Sequence, residues 1–323
     1  MKRVLITGGA GFIGFRLAQL LAPQVEELVL CDYVRLEQAD DEFKRFLAAT
    51  PHARFVSADL LVSETFTTLG AGYDTVFHLA ATVGVEVVEN DPIRVVKNNI
   101  YGTVNLLEWF AASGSRRLVF SSTSEVYAGA ANFGILPIPT SEAVPAVVDN
   151  IFHPRSSYAI SKLAGEHLVA QYARLAGTEF SVIRYHNVYG PRMGFKHVVP
   201  QMMRRLAGGE NPFVVRSASH MRAFCYVDDA VAASIAVARC PAAHGRIIHI
   251  GNSHEHVTIL ELTRLLCEVM NFHPDLQPAE EQLGSVAKRC PDTSLLASLT
   301  GPMTQVRLSD GLARTYQWYR TRL

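Results

Sequence analysis

A chain of 323 residues, 49% of them hydrophobic, has ample material for a buried core and is long enough for one large α/β unit or two unequal lobes. Lys and Arg total 30 and Asp and Glu total 30. That balance excludes a global field drawing the chain to nucleic acid or an anionic membrane, so any anionic ligand must be met by local arginines. The five cysteines, Cys31, Cys225, Cys240, Cys267 and Cys290, form no CxxC pair and no metal spacing, and their odd number argues against a disulfide framework. No metal site is expected. No apolar run approaches the ~18 residues of a transmembrane helix and the first strand begins at once, so the expectation is a cytoplasmic protein with no membrane partner.

The first element is a short apolar run, Val4, Leu5 and Ile6, leading into TGGAGFIG with glycines at Gly8, Gly9, Gly11 and Gly14. Phe15, Leu17, Leu20 and Leu21 follow at helical spacing, which makes strand, glycine turn and helix. After Pro23, a second apolar run over 28–30 ends at Asp32, 18 residues beyond Gly14. Gly8 and Gly9 can take positive φ in the tight turn, Gly11 lets backbone N–H groups approach a pyrophosphate, and Gly14 lets helix and strand pack closely. The helix N-terminus adds a favourable field for phosphate. Asp32 can accept hydrogen bonds from a ribose diol and would repel a 2′-phosphate, so the pattern predicts NAD in preference to NADP. Arg35 weakens that preference slightly.

Strand and helix go on alternating. Strands are expected at 54–57, ending near Asp59, at 75–79, ending in HLAA, and at 117–121, with a helix over 95–112. Such alternation predicts a parallel sheet covered on both faces, with ligands beyond the carboxyl ends of its strands. The fifth strand runs into SSTSEVYAG at 121–129, and SYAISK at 157–162 sets Tyr158 and Lys162 four residues apart near the start of a helix. At that spacing both side chains share a face, whose stripe is expected to continue through Ala164, Leu168, Tyr172 and Leu175. A phenol titrating near ~10 is a poor base at neutral pH, but an ammonium and a positive nicotinamide ring stabilise its phenolate. Tyr158 could then take the proton of a substrate hydroxyl, with Thr123 hydrogen-bonding that hydroxyl.

Past Pro191 the alternation is less regular, with a helix expected over 198–206, short strands near 213–215 and 246–250, and another helix over 259–270. Arginines 192, 204, 205, 216 and 222 gather there, and Arg222, ahead of an apolar strand, is the best candidate for a diphosphate contact. The expected organisation is a Rossmann-type doubly wound sheet over 1–185 and a smaller substrate lobe over 186–323, some of which crosses back.

The motifs TGGAGFIG, HLAA, NNIYGT at 98–103, SSTSEVY, YAISK, RYHNVYGPR at 184–192 and RAFCYVDD at 222–229, with Asp32 and Asp59, resemble an extended short-chain dehydrogenase/reductase, specifically the nucleotide-sugar epimerase/dehydratase family. The resemblance implies a catalytic triad of Thr123, Tyr158 and Lys162. It implies NAD contacts at Gly8, Gly11, Phe12, Ile13, Gly14, Asp32, Asp59, Leu60, Leu79, Ala80, Ala81 and Asn99, with Tyr158 and Lys162 shared. It further implies a nucleotide-diphosphate sugar substrate, met by Thr82, Ser124, Glu125, Asn187, Arg222 and Arg289, and a homodimer formed through two helices per subunit.

The family oxidises a sugar at C4 and then follows several routes. Glu125 resembles the acid of dehydratases and UDP-glucuronate decarboxylases, and a carboxylate beside a 4-keto sugar can remove the C5 proton. The sequence therefore leans narrowly to 4,6-dehydration, with 4-epimerisation, decarboxylation and 4-dehydrogenation as alternatives, and a non-catalytic NAD-binding regulator as a reading of another class. Ser124 stands where dTDP-glucose-type dehydratases carry an acid. An arginine frequent near the end of the family is replaced by Gln282, for which Arg289 or Lys288 can compensate. Residues 128–153 form a long apolar loop expected to shape the sugar pocket. Among the histidines, His78 reads as structural and His186 as a candidate for lining that pocket.

Overall fold

Three apolar residues in a row read as a strand buried on both faces. A computed structural model, which describes residues 1–279, 286–303 and 305–323, bears this out: in β1 (Arg3–Thr7), Val4 and Ile6 enter one hydrophobic core while Leu5 enters the other. The same alternation recurs along the chain. It passes through α1 (Phe12–Leu21), β2 (Glu27–Asp32), α2 (Asp41–Ala49), β3 (Ala53–Ser57), β4 (Thr75–His78), α3 (Val85–Asn90), α4 (Pro92–Ala112), β5 (Arg117–Thr123), α5 (Ala128–Asn132), α6 (Ser156–Ala176), β6 (Glu179–Tyr185) and β7 (Val188–Tyr189). The remainder is α7 (Val198–Ala207), β8 (Phe213–Arg216), β9 (Met221–Ala223), β10 (Cys225–Tyr226), α8 (Val227–Arg239), β11 (Arg246–Ile250), β12 (His256–Thr258), α9 (Ile259–Met270), β13 (Leu276–Ala279), β14 (Lys288–Arg289), α10 (Ser294–Thr300) and α11 (Leu308–Tyr319).

Seven strands form one parallel sheet in the order β11-β6-β5-β4-β1-β2-β3. The chain moves outward from β1 in both directions, so a crevice opens between the carboxyl ends of β1 and β4. α4 and α6 cover one face with Leu106, Leu107, Phe110 and Val169, and α1 and α8 cover the other with Phe15, Leu17, Ala230 and Val231. Gly165 sets the distance between α6 and β5, since a Cβ there would lie 2.4 Å from the Phe120 ring. Close approach brings the first turns of α6 to the end of β5.

The inner face of α6 differs from the expected stripe. Tyr158 and Lys162 do share a face, but it continues through Gly165, Glu166, Val169 and Ala173, while Leu175 is exposed. The expected stripe steps only two residues from Lys162 to Ala164, a turn of about 200° around a helix of 3.6 residues per turn. That step places Ala164, and with it Leu175, away from the buried side.

Beyond β6, short ladders replace long strands. β9 lies between β12 and β14, and β8 pairs with β13. In the parallel β9–β14 ladder Arg222 is the register partner of Arg289. Arg222 thus sits within a strand and not ahead of one. Next along the chain, Thr140 bridges to Pro291, which ties the 128–153 segment to the strand carrying Arg289. Gln282 lies outside the described residues.

Candidate active site

The glycine turn closes over the crevice. Gly8 has φ of +71°, and a Cβ on it would lie 2.9 Å from the backbone nitrogen of Ala80. The loop after β1 therefore runs against the HLAA turn after β4, and a side chain there would fill the cradle. Gly11 stands at the N-cap of α1 in extended conformation without a side-chain cap, which leaves the first N–H groups of the helix, those of Phe12 and Ile13 among them, open to a phosphate. Asp32 is 8% exposed and accepts a hydrogen bond from the Ala10 N–H at 3.1 Å. Burial pushes its carboxyl above the usual range, against backbone hydrogen bonds from Ala10, Val34 and Tyr33. Asp59 is exposed beyond β3 and accepts from the Leu61 N–H at 2.9 Å, and the carbonyl of Leu60 accepts from Asn105 at 2.8 Å. These residues, with Leu79, Ala80 and Ala81, follow the carboxyl ends of β1 to β4, where a doubly wound sheet takes its ligand.

Thr123 ends β5 and caps the turn that follows, accepting from the Glu125 N–H at 3.2 Å. Tyr158 of α6 faces it closely enough for Thr123 to favour the phenolate. Burial raises the Tyr158 phenol, the Glu125 carboxylate raises it further, and the Thr123 hydrogen bond opposes both. Lys162 does not meet the phenol directly. Its ammonium donates to the Ser121 carbonyl at 2.8 Å and lies 6.0 Å from the Tyr158 ring centre. Burial lowers Lys162 to about 8, with Glu166 acting in the opposite sense. Asn99 of α4 holds the neighbouring loop: it accepts from the Thr82 N–H at 2.7 Å and donates to Ser161 at 3.0 Å, and Ser161 donates to the Tyr158 carbonyl at 2.8 Å. The first turns of α6 are thereby tied to the loop after β4.

Glu125 turns away from the backbone and forms a two-pronged ion pair with Arg289, one arm at 2.9 Å and a shorter one through Nη1. Against the burial that raises it, the charge and hydrogen bonds of Arg289, with Arg222 and Arg155 farther off, hold Glu125 below the usual carboxylate range. Burial and the Arg289 charge lower Arg222 to about 10. Asn187 takes φ of +42° and donates to the Ala223 carbonyl at 3.2 Å, which binds it to the same β9 strand. Ser124 lines a small cavity with Arg289. Catalytic candidates from β5 and α6 and cationic candidates from β9 and β14 therefore adjoin at Glu125.

A family model described as the NAD dependent epimerase/dehydratase family matches residues 4–251. The chain belongs to that family. Its enzymes are NAD-dependent, and the cradle between β1 and β4 fits that cofactor. Among curated relatives, a UDP-N-acetyl-alpha-D-glucosaminuronate decarboxylase of Bacillus cytotoxicus is 32% identical, the match covering 99% of this chain and 98% of the relative. Among solved structures, a UDP-glucose 4-epimerase of Thermotoga maritima with UDP-glucose is 27% identical at a TM-score of 0.84, covering 99% of both chains. A UDP-glucuronic acid 4-epimerase of Bacillus cereus, with UDP-glucuronic acid and NAD, is 25% identical at a TM-score of 0.85, covering 99% of this chain and 100% of the other. No helix among the described residues is long and apolar enough to cross a membrane, and none of their His, Cys, Asp and Glu side chains form a metal-holding group.

The carboxylate at Asp32 carries a test of cofactor choice in this epimerase/dehydratase. Asp32→Ser should shift the ratio of NADP to NAD affinity upward by about tenfold or more, because the charge facing a 2′-phosphate is gone. Calorimetric titration with each dinucleotide measures it, and an unchanged ratio would refute the assignment.

Sequence reasoning missed a buried polar chain beneath the site. Arg184 of β6 donates to both oxygens of Glu166 at 2.9 and 2.6 Å and also to the Tyr127 hydroxyl, while Glu166 accepts from Ser122. The available signal was Glu166 standing four residues after Lys162 on one helix face. Tyr127 then meets Nε2 of His249 at 2.8 Å. His78 is bridged between Thr7 and Thr103 at 2.8 and 3.1 Å, the structural role expected of it.

These histidines set a pH dependence. Burial, aided by nearby cations, lowers His78 to about 3 and His249 to about 4, and it lowers His186 as well. Unfolded, each titrates near ~6.5. Below about pH 6.5 the unfolded chain binds protons that the folded chain refuses, so stability is full above that pH and falls as the pH drops toward about 4. The limiting slope is about 1.4 kcal/mol per pH unit for each histidine. The raised carboxyls of Asp32, Glu142 and Asp229 act in the opposite sense and make it shallower. Urea unfolding at about pH 7 and pH 5.5 should show the loss, and equal stability at both would contradict it.

Proposed function

We propose that the protein is an NAD-dependent decarboxylase of a nucleoside-diphosphate hexuronic acid, most simply a UDP-hexuronate. The observation that carries this reading is the ion pair of Glu125 with Arg289 beside Tyr158, with Arg222 next to it. Two guanidinium groups and one carboxylate leave a net positive charge around Glu125. A neutral hexose has no use for a cation there, whereas a C6 carboxylate does. The 4,6-dehydration favoured from the sequence needs an acid for the departing C6 hydroxyl, and Ser124 is a poor one at neutral pH. The likeness to the Bacillus cytotoxicus decarboxylase adds support.

NAD held by the glycine turn of Gly8 and Gly11 and by Asp32 would supply a reversible hydride acceptor for C4. Tyr158 takes the proton of the C4 hydroxyl, Thr123 holds that hydroxyl in line, and Lys162, anchored to Ser121, supplies positive charge 6.0 Å from the centre of the Tyr158 ring. Once C4 is a ketone, the electrons of the C5–C6 bond flow toward its oxygen as CO2 departs. C5 then takes a proton that exchanges with solvent. Arg289, held by Glu125, receives the carboxylate before it leaves.

A second reading is hexuronate 4-epimerisation, supported by the likeness to the Bacillus cereus enzyme and by the same cationic pocket. Incubation with UDP-glucuronate and NAD in deuterated water separates the two. The expected product is lighter by the mass of CO2 and carries deuterium at C5. A stereoisomer of unchanged mass would establish the epimerase instead, and a neutral UDP-hexose losing water would restore dehydration.

A further inference from the structure

One polar side chain beside the site has no part in the chemistry proposed above. His186 follows β6, and the register that pairs Thr123 with Tyr185 brings it level with Ser124 at the carboxyl edge of the sheet. Two residues apart on an extended segment, Arg184 and His186 share a face. That is the face where Arg184 meets Glu166 of α6, the helix bearing Tyr158 and Lys162. His186 is 2% exposed, and neither of its ring nitrogens has a hydrogen-bond partner. Its ring packs at a steep angle on His249 with centroids 4.5 Å apart. With Ser124, Leu136, Thr140 and Arg289 it lines a cavity of about 10 Å³, the space of one water molecule.

A buried imidazole with both nitrogens unmet destabilises the free protein. Packing gives no reason for it, since an apolar ring of similar size would fill the place without that cost. Burial first, then His249, Arg289 and Arg184, keep it neutral, so it offers one N–H donor and one acceptor. Arg289 already gives two N–H groups to Glu125, and a carboxylate seated against its remaining N–H groups has a second oxygen to satisfy.

We propose that His186 is a specificity-determining residue that donates a hydrogen bond to the C6 carboxylate of the hexuronate, alongside Arg289. This rests on the hexuronate reading. The Leu136 and Thr140 walls, supplied by the 128–153 segment, leave no room at this position for a group much larger than a carboxylate oxygen.

Calorimetry with UDP-glucuronate, UDP-glucose and UDP tests it, run on the NAD-loaded Tyr158→Phe protein so that binding is read without turnover. His186→Phe should weaken UDP-glucuronate about tenfold or more and change the other two by less than about threefold. Its Tm should equal or exceed that of the wild type, because the unmet polar atoms are gone. His186→Leu repeats the comparison with a smaller side chain should the phenyl ring overfill the site. Equal weakening of all three ligands with a lower Tm would make His186 a packing residue, and no weakening would leave it without a role. Either result overturns the inference. Failure of the Tyr158→Phe parent to bind UDP-glucuronate, with no product formed from it by the wild type, would instead remove the hexuronate reading, and this inference with it, before any His186 variant is made.

Discussion

Replacing Tyr158 by Phe is expected to lower kcat by about 10²–10⁴-fold, the range associated with one positioned proton-transfer group. The change removes a single oxygen. The ring remains on the first turns of α6, where Ser161 holds the Tyr158 carbonyl and Asn99 holds Ser161, so the fold and the NAD cradle should be undisturbed. NAD affinity should therefore match the wild type, and so should affinity for the nucleotide sugar. Stopped-flow absorbance of reduced cofactor reads the first step directly, and full activity in the variant would remove Tyr158 from the proposed chemistry. Thr123→Ala should have a smaller effect, because Thr123 orients the hydroxyl and carries no proton away.

The largest loss of stability is expected from Arg184→Leu. Arg184 is 4% exposed in its side chain and Glu166 is 9% exposed. The substitution leaves the Glu166 carboxylate buried with Ser122 as its remaining partner in this chain of hydrogen bonds. Stripping one partner from a buried ion pair costs about 3–5 kcal/mol, since the surviving charge is neither hydrated nor paired. Urea unfolding should show this as a lower midpoint at unchanged slope. The double variant Arg184→Leu, Glu166→Leu should recover much of the loss, because no bare charge remains. A single variant within about 1 kcal/mol of wild type would mean that water reaches Glu166 and that the pair contributes little. Activity should fall with stability, since the pair joins β6 to α6 beside the end of β5 and so holds Tyr158 toward Thr123.

Which features could be read before folding follows from the range of the interactions. The glycine turn, the acid at Asp32 and the Tyr158–Lys162 spacing are local patterns, each set by backbone freedom or helical periodicity over a few residues. The strands at 246–250 and the helix over 259–270 were legible for the same reason and coincide with β11 and α9. The α6 stripe was misjudged because the two-residue step from Lys162 to Ala164 turns about 200° and leaves the face that Tyr158 and Lys162 share. The partner of Glu125 was harder to read. Arg289 lies 164 positions away in sequence, and the expectation for it was a substrate contact compensating for the arginine replaced by Gln282.

By itself, then, the sequence determined the parallel sheet, the dinucleotide cradle with its preference for NAD, and the spacing of Tyr158 and Lys162 on which the proposed chemistry rests. All of these rest on propensities and spacings acting within one strand, turn or helix. Only the tertiary structure decided the company those residues keep. The β9–β14 ladder aligns Arg222 with Arg289, the Thr140 bridge closes a wall over them, and β6 delivers an unpaired His186 to the same pocket. Such neighbours come from elements far apart in the chain, and the charge at the sugar end of the site exists only once close packing has brought them together.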